Sequence, residues 1–555
     1  MVRATFSGFN TALSALQANQ KRLDITGQNL SNMNTAGYTR QQLEASSLNY
    51  TNPVSHYSNG NETAVGFGVS MDRVSQIRDP YLDIQYRSQS ADCSYTNRLQ
   101  TALNSLSKVL DETTISGIRQ AFDDIQSTLT SMQDPAKVSD PIYESELRTK
   151  MQSVCNLFNQ ASRQISQAEQ NEFQRLTGEG SSEQGDVQKI NDILRQIGDL
   201  NVQIKRNQVA GHPSLELQDE RNLLLDELSG YIPVETRYYK DDAHSGNNAY
   251  DYDANGAVIG KKDWPDDLEV SMNYIDAQGK SQKLILVNGS DLGADGLTKN
   301  YGQLSVLKGD HQTAASVSDP ANISIRFEKA PSYQGNGQAA TDVYAELKGI
   351  HFEGGSLQAS LDMLQKKGTG NVINGSVDDV RGYQYYSEKL DQLADTFAKS
   401  MNASNNGNNH KDQNLLSNST DDSTNGITAG NIGISKGWTS GTIHISTDGT
   451  NRTDTILDMI AAMKDTKKLN GKTFADYMNN LSTQLASDSS SNQTALKTGT
   501  TVLNSIQDSR DSLSGVSLDE EATNMMAYVS AYNAASRLMT ALDEVLNTLI
   551  SNTGA

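Results

Sequence analysis

The segment with the clearest chemical spelling is Asp251-Tyr252-Asp253-Ala254-Asn255-Gly256, whose alternating oxygen-bearing side chains and sixth-position glycine repeat the opening of an EF-hand calcium loop. Such a loop closes its coordination with a bidentate glutamate at the twelfth position. Here that position is Lys262, a cation where the site needs an anion. The stretch is expected to be a hairpin turn, and no metal is expected. The histidines at 56, 212, 244, 311, 351, 410 and 444 are scattered, with no His-Glu-x-x-His or other paired spacing. Gly66-Phe67-Gly68 lacks the third glycine of a dinucleotide loop, and neither a Walker A sequence nor a G-x-S-x-G elbow occurs. Tyrosine dominates the aromatics, 22 against 10 Phe and 2 Trp. Its amphipathic ring suits half-exposed strands and helix seams without invoking a carbohydrate-binding face. These residues make no case for catalysis, a cofactor or a metal.

The two cysteines, Cys93 and Cys155, exclude a disulfide scaffold and a Cys-rich zinc module. Both fall in stretches with helical period and are expected to be free thiols. With 46 Lys+Arg against 67 Asp+Glu, the net charge is −21 over 555 residues. That balance argues against nucleic acid and against an anionic membrane surface as partners, because both require a basic face. No run approaches the roughly 18 apolar residues that span a bilayer, and the N-terminus lacks the apolar core of a secretory signal.

Periodicity organises the chain. Near the N-terminus Phe6, Phe9, Leu13, Leu16, Gln20, Leu23, Gly27 and Leu30 alternate steps of three and four, a heptad seam with two soft positions. At the other end Leu518, Ala522, Met525, Val529, Tyr532, Ala535, Met539, Leu542, Leu546 and Leu549 form a second stripe. Ser517 and Glu520 have the spacing of a capping box at its start. Three further helical stripes run through Ile118–Met132, Leu147–Ala168 (after an Asp140-Pro141 helix start) and Val187–Ile204. Another runs through Tyr383, Tyr386, Leu390, Leu393, Phe397 and Met401. From about Ile232 to 350, short alternating runs separated by Gly, Asn and Asp clusters predict strands.

The expected fold is α+β and multidomain: a long helical bundle or coiled-coil rod formed by both chain termini, with inserted, mainly β domains. The expected divisions are an N-terminal coiled-coil assembly segment (1–40), the first part of the helical rod (41–235) and a β-rich insert (236–350). A helical return (351–410), a small β-rich region (411–452), the second part of the rod (453–514) and a C-terminal coiled-coil assembly helix (515–555) follow.

Asn29-Leu-Ser-Asn32-Met-Asn34-Thr-Ala-Gly37-Tyr38-Thr-Arg40-Gln41 resembles the signature of bacterial flagellar rod, hook and hook-associated proteins. The asparagines can end a helix through side-chain turns, and Gly37 permits a positive φ. Tyr38 and Arg40 offer an anchor and a charge to a neighbouring subunit. Gly66-Phe-Gly68-Val69 with Arg78-Asp79-Pro80-Tyr81-Leu82 is similar to the strand-to-helix entry of the hook-associated branch. Ser514-Gly515-Val516-Ser517-Leu518-Asp519-Glu520-Glu521 resembles the C-terminus of that branch, and Leu217-Gln-Asp219-Glu-Arg221 through Leu228 resembles one of its helices. Asn222 departs from that helix pattern, which often has Asp there.

The resemblance implies a structural subunit of the extracellular bacterial flagellum between hook and filament, exported without a cleaved signal peptide. Its implied partners are further copies in a ring, hook subunits, the next hook-associated or filament subunits, and a dedicated export chaperone on the C-terminal helix. The expected assembly interface comprises Phe9, Leu13, Leu16, Leu23, Leu30, Asn32, Asn34, Gly37, Tyr38 and Arg40 from one end. From the other come Leu518, Met525, Val529, Tyr532, Met539, Leu542, Leu546 and Leu549. A hook or distal-rod protein, or an adhesin carried by the β inserts, are the competing readings.

Overall fold

The computed structural model describes residues 2–48, 68–110, 117–138, 140–210, 212–240, 250–252, 258–261, 266–275, 279–289, 300–309, 313–328, 333–334, 338–339, 344–347, 352–373, 376–407, 412–445 and 453–553. The chain begins with helix α1 (Val2–Asn32), strands β1 (Gln41–Ser47) and β2 (Val69–Gln76), and helix α2 (Pro80–Leu110). Helices α3 (Ile118–Ser131), α4 (Pro135–Val138), α5 (Pro141–Thr177), α6 (Asp186–Val209) and α7 (Leu215–Tyr231) follow. The insert holds β3 (Glu235–Lys240), β4 (Tyr250–Tyr252), β5 (Val258–Lys261), β6 (Asp266–Ile275), β7 (Ser281–Asn288), β8 (Gln303–Lys308), β9 (Ile323–Glu328), β10 (Tyr333–Gln334), β11 (Gln338–Ala339) and β12 (Tyr344–Leu347). The return comprises α8 (Ser356–Gln365), β13 (Val372–Ile373), β14 (Ser376–Val377), α9 (Tyr383–Asn405), β15 (Leu416–Asn418), β16 (Ile432–Ile434), α10 (Lys436–Ser440) and α11 (Asp454–Lys464). Two long helices end the chain, α12 (Phe474–Ser514) and α13 (Leu518–Thr553).

The helical stripes become the core. Ile118, Phe122, Ile125, Leu129 and Met132 are buried, as are Leu147, Met151, Val154, Phe158, Ala161 and Ile165 from α5. The stripe on α6 from Val187 to Ile204 and the stripe on α9 from Tyr383 to Met401 join them. At the centre Phe122 packs against Phe158, Phe397 and Phe474 with ring centroids 6.0, 5.1 and 5.5 Å apart, bringing α3, α5, α9 and α12 together. Asp140 caps α5 by accepting from Ile142 N at 2.9 Å, with Pro141 at the first helical position where its missing N–H costs nothing.

The insert is antiparallel throughout its described strands, with two three-stranded sheets ordered β3-β6-β7 and β12-β9-β8. Asparagines dock it on α6. Asn191 bonds both the N–H and the carbonyl of Leu304, and Asn201 donates to the carbonyls of Leu268 and Gly289 at 3.1 Å. An amide side chain supplies a donor and an acceptor at once, so it can complete a strand edge that would otherwise be buried unpaired.

The region from 41 to 76, expected to belong to a helical rod, is instead a hairpin in its described part. β1 pairs with β2 from Gln41↔Gln76 to Ser47↔Val69, with a register shift between Glu44 and Ala45. Gly68 (φ +111) lies so close to α1 that a Cβ there would meet Ser14 Oγ and the Thr11 backbone. Cys93 and Cys155 are buried free thiols, and burial pushes the Cys155 thiol up to about 12. Among the described residues no group of acids, histidines and cysteines is placed to hold a metal, and no helix is long and apolar enough to cross a membrane. Asp253, Asn255, Gly256 and Lys262 of the EF-hand-like stretch lie outside the described residues, as do Gly66 and Phe67.

Candidate assembly joint

The two chain ends come together as an antiparallel hairpin. A Cβ on Gly8 of α1 would touch Leu542 of α13 at 3.4 Å, and the Arg22 guanidinium lies 5.6 Å from the Tyr528 ring centroid. In α1 the most buried positions are Ala12, Ala18, Asn19, Ile25, Thr26 and Asn29. The leucine stripe is turned off this line. Leu13 is 46 % exposed, while Phe9, Leu16, Leu23 and Leu30 are half-buried. The physical reason is that α1 serves two partners, α13 and the β1–β2 hairpin, and small or amide side chains face the close approach. In α13 the line of burial runs through Glu521, Met525, Tyr528, Ala535, Met539, Leu542 and Leu546. Leu518, Val529, Tyr532 and Leu549 are exposed beside it.

The N-terminal signature folds onto its own chain. Asn29, 1 % exposed, donates to Gln41 O and accepts from Gln41 N, both at 3.0 Å, so it acts as a partner strand for the start of β1. Tyr38 donates its hydroxyl to the same Asn29 oxygen at 2.9 Å. Burial first, then the negative charges of Asp219, Glu216 and Glu521, push the Tyr38 pKa upward and keep it a donor. Gly37 turns the chain with φ +76. Asn32 back-bonds to Gln28 O and accepts from Thr35 Oγ1, while Asn34 is exposed.

Arg40 ties the two ends to each other. Its N–H donates to Ser514 O at 2.9 Å, its Nε lies 2.9 Å from Glu521, and its Nη1 lies 2.8 Å from Glu520. Ser517 caps α13 through Glu520 N at 3.5 Å, but the Glu520 side chain does not reach back to complete a capping box. Its carboxylate goes to Arg40, because a charge-assisted bond outweighs one to a neutral backbone N–H. The acids of this first turn also oppose the positive end of the helix.

Beneath the clasp, three arginines and three aspartates alternate. Arg78 lies 4.0 Å from Asp219 and grips Asp83; Arg510 bridges Asp83 at 3.1 Å and Asp226 at 2.7 Å; Arg87 holds Asp226 at 2.8 Å. The Arg510 guanidinium also stacks 4.2 Å from the Tyr86 ring centroid. The network joins the β2–α2 loop, α2, α7 and α12. Of these groups Arg78, Asp219 and Asp226 fall within the family-like motifs of the sequence, whereas Asp83 and Arg510 do not. The pairing of Arg510 with Asp83 and Asp226 carries no spacing signal, since the partners are hundreds of residues apart.

Asp219 accepts from Thr39 N at 3.1 Å and Thr39 Oγ1 at 2.6 Å. Burial is the largest influence on it and pushes its pKa up to about 6, against the Thr39 bonds and Arg78. Because the folded form holds this proton more tightly than the unfolded chain, its stabilising contribution is full below about pH 4 and is lost as pH rises through about 6. Asp219→Asn, which cannot ionise, is therefore expected to gain stability relative to the parent between about pH 4.5 and 7.5. Thermal melts of both proteins at the two pH values measure this; a difference independent of pH would contradict it.

A chain whose ends pair as a hairpin and meet in one charged joint invites comparison at those ends. Residues 9–39 match the family described as flagella basal body rod protein, and 509–552 match the flagellar basal body rod FlgEFG protein C-terminal family. The class is that of the flagellar axial proteins. Residues 103–416, more than half of the chain, match the flagellar hook-associated protein FlgK helical domain, and the chain belongs to the flagellar hook-associated protein family. It is 29 % identical over 568 residues to flagellar hook-associated protein 1 of Bacillus subtilis (strain 168), covering 99 % of each chain. The proteins of the same name from Salmonella typhimurium and Escherichia coli (strain K12) are 29 and 28 % identical over 41 % of this chain and 38 and 39 % of theirs. The structure of the flagellar hook junction protein FlgK from Burkholderia pseudomallei aligns at TM-score 0.36 and 21 % identity, over 61 % of this chain and 45 % of that one. That alignment is too distant to bear on the fold.

Proposed function

We propose that this chain is a structural subunit of the zone between hook and filament, and that its paired ends build the inner wall of that zone by packing against the ends of neighbouring copies. One observation supports the reading above others: α13 carries large apolar side chains on both sides of its line of contact with α1. Met526 is 65 % exposed and Ile550 62 %, and Leu518, Val529, Leu538 and Val545 are exposed as well. A two-helix hairpin that leaves so much apolar surface in water gains little stability alone, because helices in isolation are marginal and most of their stabilisation comes from packing.

It follows that the terminal helices order on polymerisation, with folding coupled to association. Before assembly the same exposed face suits capture by a dedicated chaperone, and passage as an unfolded thread through the flagellar export apparatus accounts for a chain with no disulfide framework. The hook supplies the neighbour on one side and the next hook-associated or filament subunit the neighbour on the other. Arg40 and the charged network then hold the inner hairpin to the outer helical body.

The test is a deletion strain. Intact hooks with filament subunits lost to the medium are the expected phenotype. Loss of the hooks themselves would assign the chain to the hook or rod instead.

A further inference from the structure

A polar pocket of about 380 Å³ opens between α1, α13 and one edge of β1. Arg22, Thr26 and Asn29 follow one another along one face of α1, at steps of four and three. Glu521, Asn524 and Tyr528 do the same on α13, and Gln41, Gln42 and Leu43 enter from β1. Arg40 and Glu521, which also line the pocket, are engaged with each other, and Arg40 holds Glu520 as well. Three further side chains have unengaged donors. Arg22, half-buried, faces the Tyr528 ring, and its guanidinium makes no ion pair or hydrogen bond among the described residues. Thr26 is only 3 % exposed, yet its hydroxyl has no partner among the described residues, and neither has the Asn524 amide. A hydroxyl so far withdrawn from water is costly to leave unpaired.

The backbone of β1 adds a second, independent feature. In an antiparallel pair, residues alternate between those that exchange both bonds with the partner strand and those whose N–H and C=O point away from it. Ile77 N donates to Arg40 O at 2.9 Å, so Arg40 and Gln42 bond toward β2 while Gln41 and Leu43 point to the outer edge. Asn29 takes both outward groups of Gln41. The next outward pair belongs to Leu43, in the lining of the pocket, and among the described residues β1 has no strand partner but β2. The Asn29 amide therefore forms the first rung of an edge that continues past it into the pocket.

We propose that this pocket receives an extended, acidic segment of a neighbouring axial subunit. The backbone of the segment continues along β1 from the rung that Asn29 makes and pairs with Leu43, as in strand addition to a sheet edge. A carboxylate on the segment meets the guanidinium of Arg22, the hydroxyl of Thr26 and the amide of Asn524. The chemistry of the occupant follows from the lining. An apolar side chain would bury Thr26 unpaired and take water from Arg22, a basic one would face the charge of Arg22, and a carboxylate accepts from all three donors. The inference rests on the assembly reading above and deepens it by naming the chemistry of one contact.

The test uses flagella assembled from the full chain with the photo-crosslinking residue p-benzoyl-phenylalanine in place of Gln42. That side chain is exposed, lines the pocket and makes no hydrogen bond among the described residues, so its replacement removes no contact. After irradiation, mass spectrometry of the crosslinked peptide should read a segment of a second subunit with an aspartate or glutamate beside the point of attachment. Arg22→Gln in the same chain should lower the yield of that product about tenfold, the factor one charge-assisted hydrogen bond carries. Arg22→Lys should restore most of it. If Arg22→Gln keeps the chain out of flagella, incorporation becomes the readout and Arg22→Lys must restore that instead. Attachment to a segment without an acid, a yield indifferent to Arg22→Gln, or a loss that Arg22→Lys does not repair would each overturn the proposal. A chain that enters flagella but crosslinks to no second subunit sinks this contact alone, whereas a parent chain absent from flagella sinks the assembly reading with it.

Discussion

Arg510→Ala is expected to lower the stability of the helical body by about 3 kcal/mol, near the cost of breaking a buried ion pair from one side. The guanidinium lies between Asp83 and Asp226 and is stacked on Tyr86. Its removal leaves Asp83 with Arg78 alone and Asp226 with Arg87 alone, so three buried acids share two buried cations where the charges had balanced. Arg510→Met should cost less, because it keeps the contact with Tyr86 and adds no new cavity. Urea titrations of the two variants measure the difference through the shift in midpoint at unchanged slope. A loss below about 1 kcal/mol in the alanine variant would mean that water already carries much of the network.

Ala535→Asp is expected to abolish assembly while leaving the helical body folded. Ala535 is the most buried apolar residue of α13, 8 % exposed where the helix passes α1. An aspartate there must either lose its water against α1, at a cost of several kcal/mol, or force the hairpin apart. The hairpin has little stability to resist with. The body is insulated, since the contiguous core runs from Leu99 to Leu485 and, among the described residues, includes none of α1 or α13. The expected result is an unchanged main thermal transition, loss of helical signal from the termini, and no incorporation into flagella. Ala535→Ser, nearly the same size and uncharged, should assemble. Assembly by the aspartate variant would show that the α1–α13 seam is dispensable.

The separation between body and ends explains which features could be read in the sequence. The stripes on α3, α5, α6 and α9 were legible because each helix buries one continuous face, and a periodic face writes itself at steps of three and four. The same reasoning misplaced the contact line of α1. Leucines at 13, 16, 23 and 30 have the stronger pattern, yet Ala12, Ala18 and Asn29 are more deeply buried. Periodicity reports where apolar mass lies, whereas a helix shared between a strand pair and another helix needs small and amide side chains at the closest approach. Of the β1–β2 hairpin only the strand-to-helix entry near Val69 was legible, and the pairing was not: its described strands alternate weakly, and its start is set by the Asn29 amide on α1.

By itself the sequence determined the helix-forming stretches, the strand-rich middle, the acidic balance and, through its terminal motifs, the class of assembly to which the chain belongs. All of these are local, carried by neighbours within a turn or two along the chain. Only the tertiary structure decided the joint: Arg40 with Glu520 and Glu521, Thr39 with Asp219, and Arg510 between Asp83 and Asp226. Those pairs are separated by as many as 481 residues. An ion pair has no periodicity, and any of 46 cations could in principle meet any of 67 anions. Which of them do is settled when the packed helices bring the two ends of the chain to one place and leave each buried charge the few partners within reach.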